Sequence, residues 1–263
     1  MSRPEYTAPP EIFYNDDESK KYTTSSRVQH IQAEMTLRAL ELLNLPESQH
    51  VLDIGCGSGL SGEILTEEGH TWVGMDISAS MLANAIDKEV EGDLMLADMG
   101  QGIPFRAGSF DAAISISAIQ WLCNADTADA DPKRRLMHFF ETLYSSLKRG
   151  GKVCCQFYPL NDKQRDTIQS AAKATGFSGG IVVDNPDSKK NQKYYLVLTA
   201  GQSDEEINLE GVAMEEIKKR KKTSKKDESR KDYINRKKDL MKKRGKMVAK
   251  DSKYTGRKRR PKF

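Results

Sequence analysis

Between Ser25 and Pro46, "SSRVQHIQAEMTLRALELLNLP" returns to apolar residues at three- and four-residue intervals. That spacing predicts an amphipathic helix, capped by Ser25 or Ser26 and bounded by Pro46. The apolar run "HVLDIG" follows and ends in glycine, the pattern of a buried strand entering a tight turn. The alternation then continues. "GLSGEILTEEG" predicts a helix closed by Gly69, "TWVGMDIS" a second strand, and "SASMLANAIDKEV" a helix capped by Ser78 or Ser80. "DLMLADM" and "FDAAISISAIQW" predict strands three and four. "DPKRRLMHFFETLYSSLKRGGK" carries the clearest helix pattern, with Asp131 as cap, Pro132 at the first helical position and Gly150 at the left-handed C-terminal position. "KVCCQFY" predicts strand five, and "NDKQRDTIQSAAKATGF" a helix capped by Asn161 and ended by Gly176. "GGIVVD" and "KYYLVLTAG" are joined by a polar loop too short for a crossover helix, so they are expected to pair as an antiparallel hairpin. The "PPE" start reads as a turn.

Strands alternating with helices predict an α/β fold, a parallel sheet covered on both faces. The pattern stops beyond Ser203, and there charge changes the picture. Residues 218–263 hold 23 Lys and Arg against 5 Asp and Glu, a net +18 concealed within the overall +4. The other 217 residues hold 19 basic against 33 acidic, or −14. The expected organisation is an N-terminal segment and helix at 1–46, packed on the site, a core at 47–202 and a basic tail at 203–263 without a fixed fold of its own. Cys56, Cys123, Cys154 and Cys155 form neither a CxxC pair nor a Cys/His cluster, so reduced thiols and no metal are expected. The N-terminus lacks the apolar core of a signal peptide, and no run of about 18 apolar residues suggests a membrane span. An intracellular protein without a membrane partner is expected.

The stretch "VLDIGCGSGLSG" supports two cofactors. Gly57, Gly59 and Gly62 spell the dinucleotide fingerprint GxGxxG, whereas Asp53, Gly55, Gly57 and Gly59 spell the DxGxGxG loop of S-adenosylmethionine-dependent methyltransferases. Both need glycines for close approach, and both want an acid such as Asp76 for the ribose. Asp53 separates them: a carboxylate would repel a pyrophosphate but favours a sulfonium and an ammonium. Asp98 could accept a hydrogen bond from the adenine amino group. Asp53, Asp76 and Asp98 fall at three successive predicted strand ends, where open α/β sheets bind ligands. Each alone could be a helix cap or turn residue; together they favour S-adenosylmethionine, with Ile77 and Met99 beside them as further cofactor contacts. Gly62 is then a packing residue of the following helix.

The methyl acceptor is read from what is absent. The place after strand four, "ISISAIQWLCNAD", lacks the Asn/Asp-Pro-Pro-aromatic motif used for exocyclic amines, and Cys123 lacks the proline neighbour of carbon-methylating cysteines. A ring nitrogen with a free lone pair, such as guanine N7, needs no general base, and no catalytic side chain is assigned. Trp121 and Tyr158 could stack on a base, and Gln120 and Asn124 could contact its edge. Trp121 reads equally as a core aromatic. On "KVCCQFY" one of Phe157 and Tyr158 faces the core.

Lys218, Lys219, Arg220, Lys221 and Lys222 open the tail, and Arg257, Lys258, Arg259 and Arg260 nearly close it. These clusters suit phosphate contacts and also read as nuclear or nucleolar localisation signals. The segments "PPEIFYNDDESKKYTTSSRVQHIQAEMTLRALELLNL", "VLDIGCGSGLSGEIL" and "FDAAISISAIQWLCNAD", with the basic end, make the chain resemble the eukaryotic 18S ribosomal RNA guanine-N7 methyltransferases along essentially its whole length. The resemblance implies a class I (Rossmann-like) fold with a seven-stranded, mostly parallel sheet, and cofactor binding by Gly55, Gly57, Asp76 and Asp98. It implies a nuclear or nucleolar protein, with the cytoplasm also open, that assembles the small ribosomal subunit. It also implies a small zinc-binding activator protein as partner. The apolar third strand, Asp93–Ala97, carries no guarding Lys or Pro and would be the edge it covers. Two other readings remain: an assembly factor whose pre-ribosome binding is the essential activity, and a small-molecule methyltransferase, which leaves the tail unexplained.

Overall fold

The computed structural model describes residues 3–125, 131–188 and 191–201, with Lys238, Lys242 and Lys250 beyond them. The chain divides into two units, Met1–Met214 and Glu215–Phe263. Nearly all of the second, and with it the basic clusters at 218–222 and 257–260, lies outside the described residues.

In the first unit the elements run α1 (Pro10–Phe13), α2 (Asp16–Thr24), α3 (Ser26–Leu43), β1 (His50–Ile54), α4 (Leu60–Glu67), β2 (Thr71–Asp76), α5 (Ala79–Asp87), β3 (Asp93–Leu96), β4 (Phe110–Ile116), α6 (Pro132–Ser146), β5 (Leu147–Phe157), α7 (Asp162–Ala174), β6 (Phe177–Asp184) and β7 (Lys193–Ala200). The seven strands form one sheet in the order β3-β2-β1-β4-β5-β7-β6. Strands β1 to β5 pair in parallel. β7 inserts between β5 and β6 and runs antiparallel to both.

Strand alternation sorts the side chains into two apolar layers. Leu52, Ile54, Ala113, Val153 and Cys155 face α6 and α7, whose Phe139, Phe140, Leu143, Ile168 and Ala172 complete that layer. Val51, Ala112, Ile114 and Cys154 face the other side, covered by Met35, Ala39 and Leu43 of α3 and Leu65 of α4. The adjacent Cys154 and Cys155 thus lie on opposite faces. Caps stand where side-chain chemistry expects them: Ser25 for α3, Ser78 for α5, Asp131 for α6 and Asn161 for α7 each accept from backbone amides of the first turn.

Four local expectations are corrected. The long helix ends at Ser146 rather than near Gly150, and Leu147 already pairs with Phe110. The register then jumps to Ala112–Lys152, so Gly150, at φ +79°, occupies a bulge in β5 instead of a helix end. Strand four stops at Ile116, and Ile119–Cys123 forms a 3-10 helix. β3 ends at Leu96, leaving Asp98 to cap a second 3-10 turn, Met99–Gln101. The "PPE" start opens α1 instead of a turn, and residues 16–24, for which no element was expected, form α2, capped by Asn15, whose Oδ1 accepts from the amides of Asp17 and Glu18.

Trp72 of β2 shows how tightly the α3/α4 face is filled. Its indole N–H donates to Thr66 Oγ1 at 3.0 Å, and the ring lies against three glycines. A Cβ would fall 2.1 Å from it at Gly62, 2.9 Å at Gly74 and 2.3 Å at Gly92. Gly62→Ala gains about 1 kcal/mol of helix propensity. The clash is nevertheless expected to leave the variant about 1–3 kcal/mol less stable in urea unfolding. A neutral or stabilising result would mean that the indole re-orients freely.

Candidate functional site

The strand order reverses between β1 and β4, because β1 is followed in space by β2 on one side and β4 on the other. At such a switch point the loops beyond the carboxyl ends diverge and leave a crevice. A cleft opens there, walled by the loops after β1, β2 and β4.

The loop after β1 forms its floor. Gly55 and Gly57 take φ values of +74° and +55°, which side-chain-bearing residues rarely adopt. A Cβ on Gly55 would also meet Ala118 Cβ at 2.4 Å, so this glycine lets the loops after β1 and β4 touch. Gly55 and Cys56 donate their amides to Met75 O at 2.8 and 3.1 Å. Gly57 N donates to Asp76 Oδ2 at 2.9 Å, and Ser78 N to Asp76 Oδ1 at 2.8 Å. Burial pushes the Asp76 carboxyl up, opposed by the amides of Ser78, Gly57 and Ile77. Each Asp76 oxygen therefore holds one backbone donor and retains acceptor capacity for another.

Asp53 lies under this floor, wholly buried, on the α4 side of β1. Its Oδ2 accepts from Ser61 Oγ at 2.6 Å, whereas its Oδ1 finds no partner among the described residues. Burial, with some help from Asp76 and against the Ser61 bond, raises its carboxyl from 3.8 to about 7. Ser58 Oγ, buried and lining the cleft, also lacks a partner.

Asp98 stands at the opposite wall. It is engaged as a cap, accepting from Gly100 N at 2.8 Å, and both of its oxygens are reached by Arg135 Nη2 at 2.9 and 3.0 Å.

Gly55, Gly57, Asp76, Ile77, Asp98, Met99 and Trp121 all line the cleft. Gly59 does not: it begins α4 with φ +77°, and a Cβ there would strike Val90 at 2.8 Å. Three of the four candidate base contacts are drawn off by other partners. Tyr158 stays on the far face and donates its hydroxyl to Met35 Sδ at 3.2 Å. Gln120 is buried, its Nε2 donating to Ser117 O at 2.7 Å. Asn124 Nδ2 donates to Glu5 O at 3.0 Å and so fastens the N-terminal segment.

That segment supplies the residues the sequence reading missed. Pro10, Tyr14, Tyr22 and Gln32 line the cleft. Tyr14 packs 6.0 Å from Trp121, centroid to centroid, and its carbonyl accepts from Ser78 Oγ at 2.8 Å. Arg3 donates to the carbonyls of Tyr158 and Pro159 at 2.9 and 3.1 Å. "NDDES" is a helix-start signature that could have revealed α2. That Tyr14 faces Asp76 has no local signal.

These groups fit a nucleoside carrying a cationic amino-acid arm. A glycine floor admits close approach, Asp76 offers acceptors, and a buried carboxylate oxygen and a buried hydroxyl stand unpaired beside the glycine loop. Such a cation would reverse the preference of Asp53 for its neutral form. The folded-state value of about 7 exceeds the unfolded value near 4. This group's contribution to stability is therefore complete below about pH 4 and is lost as pH rises toward 7. Urea unfolding from pH 4 to pH 7 is expected to show that decline, and Asp53→Asn to flatten it.

Comparison with known proteins places these features in context. Residues 52–155 match the family described as "Methyltransferase domain", and residues 183–261 match "Methyltransferase involved in Williams-Beuren syndrome". The chain is 66% identical over 275 residues to the 18S rRNA (guanine(1575)-N(7))-methyltransferase of Saccharomyces cerevisiae, covering 100% of both chains. It is 53% identical over 269 residues to the 18S rRNA (guanine-N(7))-methyltransferase of Schizosaccharomyces pombe, again covering 100% of both. Among solved structures, the methyltransferase in complex with the Haloferax volcanii Trm112 methyltransferase activator superposes with a TM-score of 0.54 at 19% identity, covering 70% of this chain and 98% of that one. At that identity the likeness concerns the fold.

Proposed function

This chain belongs to the 18S rRNA (guanine-N7)-methyltransferase family, and from that premise we infer that it methylates guanine N7 in small-subunit ribosomal RNA. It is a class I, S-adenosylmethionine-dependent methyltransferase. When bound, the cofactor would supply an electrophilic methyl group on a sulfonium for direct displacement by N7, with S-adenosylhomocysteine as the leaving group and the positive charge passing to the base. No proton leaves N7, so the transfer needs no general base. The task of the chain is positioning and exclusion of water, both large contributors to displacement reactions.

The observation that carries the cofactor assignment is the bridging carboxylate of Asp76. It joins the loops after β1 and β2 and keeps acceptor capacity facing the cleft, which suits ribose hydroxyls. Asp53, beneath the glycine loop, suits the cationic arm, and Asp98 at the opposite wall suits the adenine amino group. Trp121, which lines the cleft and has Phe13 and Tyr14 at 6.1 and 6.0 Å, is the proposed stacking partner of the base. Gly57→Glu or Asp76→Lys is expected to abolish cofactor binding in calorimetry. Mass spectrometry of 18S rRNA from cells carrying only that variant should then show the N7-methylguanine lost. Ribosome production that stays normal in those cells would make pre-ribosome binding, served by the +18 tail, the essential activity. The same tail supports a nuclear and nucleolar location.

A small zinc-binding activator is the partner this reading requires. β3 lies at the sheet edge, paired only with β2 among the described residues, and Leu96 is 60% exposed. An apolar edge of this kind invites a partner strand. The likeness to a methyltransferase solved with its activator supports the same assignment. Leu96→Asp is expected to lower activator recovery in co-purification at least severalfold while leaving thermal unfolding of the isolated chain unchanged. Full recovery would move the interface away from Asp93–Ala97.

A further inference from the structure

Arg135 sits near the start of α6, in "PKRRL", where the sequence shows only one of several surface-type basic residues. In the folded chain it lines the cleft. Its ion pair with Asp98 is sheltered, with side-chain exposures of 16% for Arg135 and 22% for Asp98. One nitrogen, Nη2, spans both carboxylate oxygens at 2.9 and 3.0 Å.

Two further observations show that the contact is built rather than incidental. Gly100 vacates the space the guanidinium occupies. A Cβ there would fall 2.3 Å from Nε, 2.4 Å from Nη2 and 2.6 Å from Cζ, so the cation lies directly on the Met99–Gln101 turn. The same helix also holds the next residues, since Thr142 Oγ1 accepts from Ile103 N at 2.9 Å. The loop that carries Asp98 is thus fastened to α6, with the Arg135 contact at the cleft.

The chemistry follows from counting acceptor sites. An ionised carboxylate only accepts, with about four lone-pair sites. Gly100 N and the two Arg135 contacts occupy three of them. The remaining site can take an N–H donor and would repel a carbonyl oxygen. We infer that Arg135 is a positioning residue for adenine recognition: it clamps Asp98 as a fixed acceptor, so that the site selects a 6-amino purine over a 6-oxo purine. The inference rests on the reading above that Asp98 receives the adenine amino group. A sheltered ion pair of this type contributes orientation more dependably than net stability.

Calorimetric titration of the full-length chain with S-adenosylhomocysteine and with S-inosylhomocysteine tests both levels. The unsubstituted chain is expected to prefer the adenosyl compound by about tenfold or more, the loss associated with one charged hydrogen bond. Arg135→Gln should weaken adenosyl binding by about that factor and leave inosyl binding unchanged, collapsing the ratio, and Arg135→Lys should restore part of it. Gly100→Ala, which displaces the guanidinium while keeping its charge, should lower the ratio too, and it stands as the test if Arg135→Gln fails to fold. Equal weakening of both ligands by Arg135→Gln, or an unchanged ratio in a folded Arg135 or Gly100 variant while Asp98→Asn collapses it, overturns the inference and leaves the adenine reading intact. An unchanged ratio in Asp98→Asn overturns the adenine reading itself.

Discussion

The site depends on one side chain shared between two loops. Asp76 closes β2 and accepts from Gly57 N and Ser78 N, so the glycine loop after β1 and the start of α5 are held by the same carboxylate. The Gly59 amide is met within its own loop by Cys56 O, but those of Gly57 and Ser78 are met by the Asp76 carboxylate, and buried amides must find partners. Gly55 and Cys56 complete the arrangement by donating to Met75 O. A side chain without an acceptor at position 76 would leave those amides open and let the floor of the cleft move. Parallel pairing of β1 and β2 from His50–Thr71 to Ile54–Met75 sets the distance that makes this sharing possible.

The second contribution comes from residues outside the sheet. Contacts far apart in the fold fasten the N-terminal segment, among them Arg3 to the end of β5, Glu5 to Asn124 after the 3-10 helix, and Tyr14 to Ser78 at α5. Between those points Pro10, Tyr14 and Tyr22 wall the cleft, and Phe13 and Tyr14 pack on Trp121. The segment therefore couples the cofactor side of the cleft to its aromatic side. Burial of Asp53 beneath the same floor contributes differently. Its Oδ1 has no partner among the described residues, which favours a bound cation because an unpaired buried polar group is costly.

Much of this was legible residue by residue. The helix caps, the seven strands and the closing hairpin follow from period and capping chemistry, which act over a few positions. So do the glycines, since a tight turn after a buried strand admits little else. Boundaries failed where a partner strand or a 3-10 turn intervened: Gly150 has the backbone of a helix terminus but sits in a bulge created by pairing with β4. The candidate base contacts failed for a related reason. Tyr158, Gln120 and Asn124 have suitable chemistry, and each is claimed by a partner that the chain order does not reveal: Met35 lies 123 residues from Tyr158, and Glu5 lies 119 from Asn124.

By itself, then, the sequence determined the class of sheet, the placing of Gly55, Gly57 and Asp76 at strand ends, the preference for a cationic cofactor and the separation of an acidic body from a basic tail. Those properties are set by local spacing and by charge, and they hold in any compact arrangement of the elements. Only the tertiary structure decided which polar groups have their capacity spent and which keep it. Asp98 is bound to Arg135, 37 residues away, whereas Asp53 keeps one oxygen unpaired. That difference arises because a hydrogen-bond partner is chosen by distance in space, and the sheet order that sets those distances joins strands far apart in the chain.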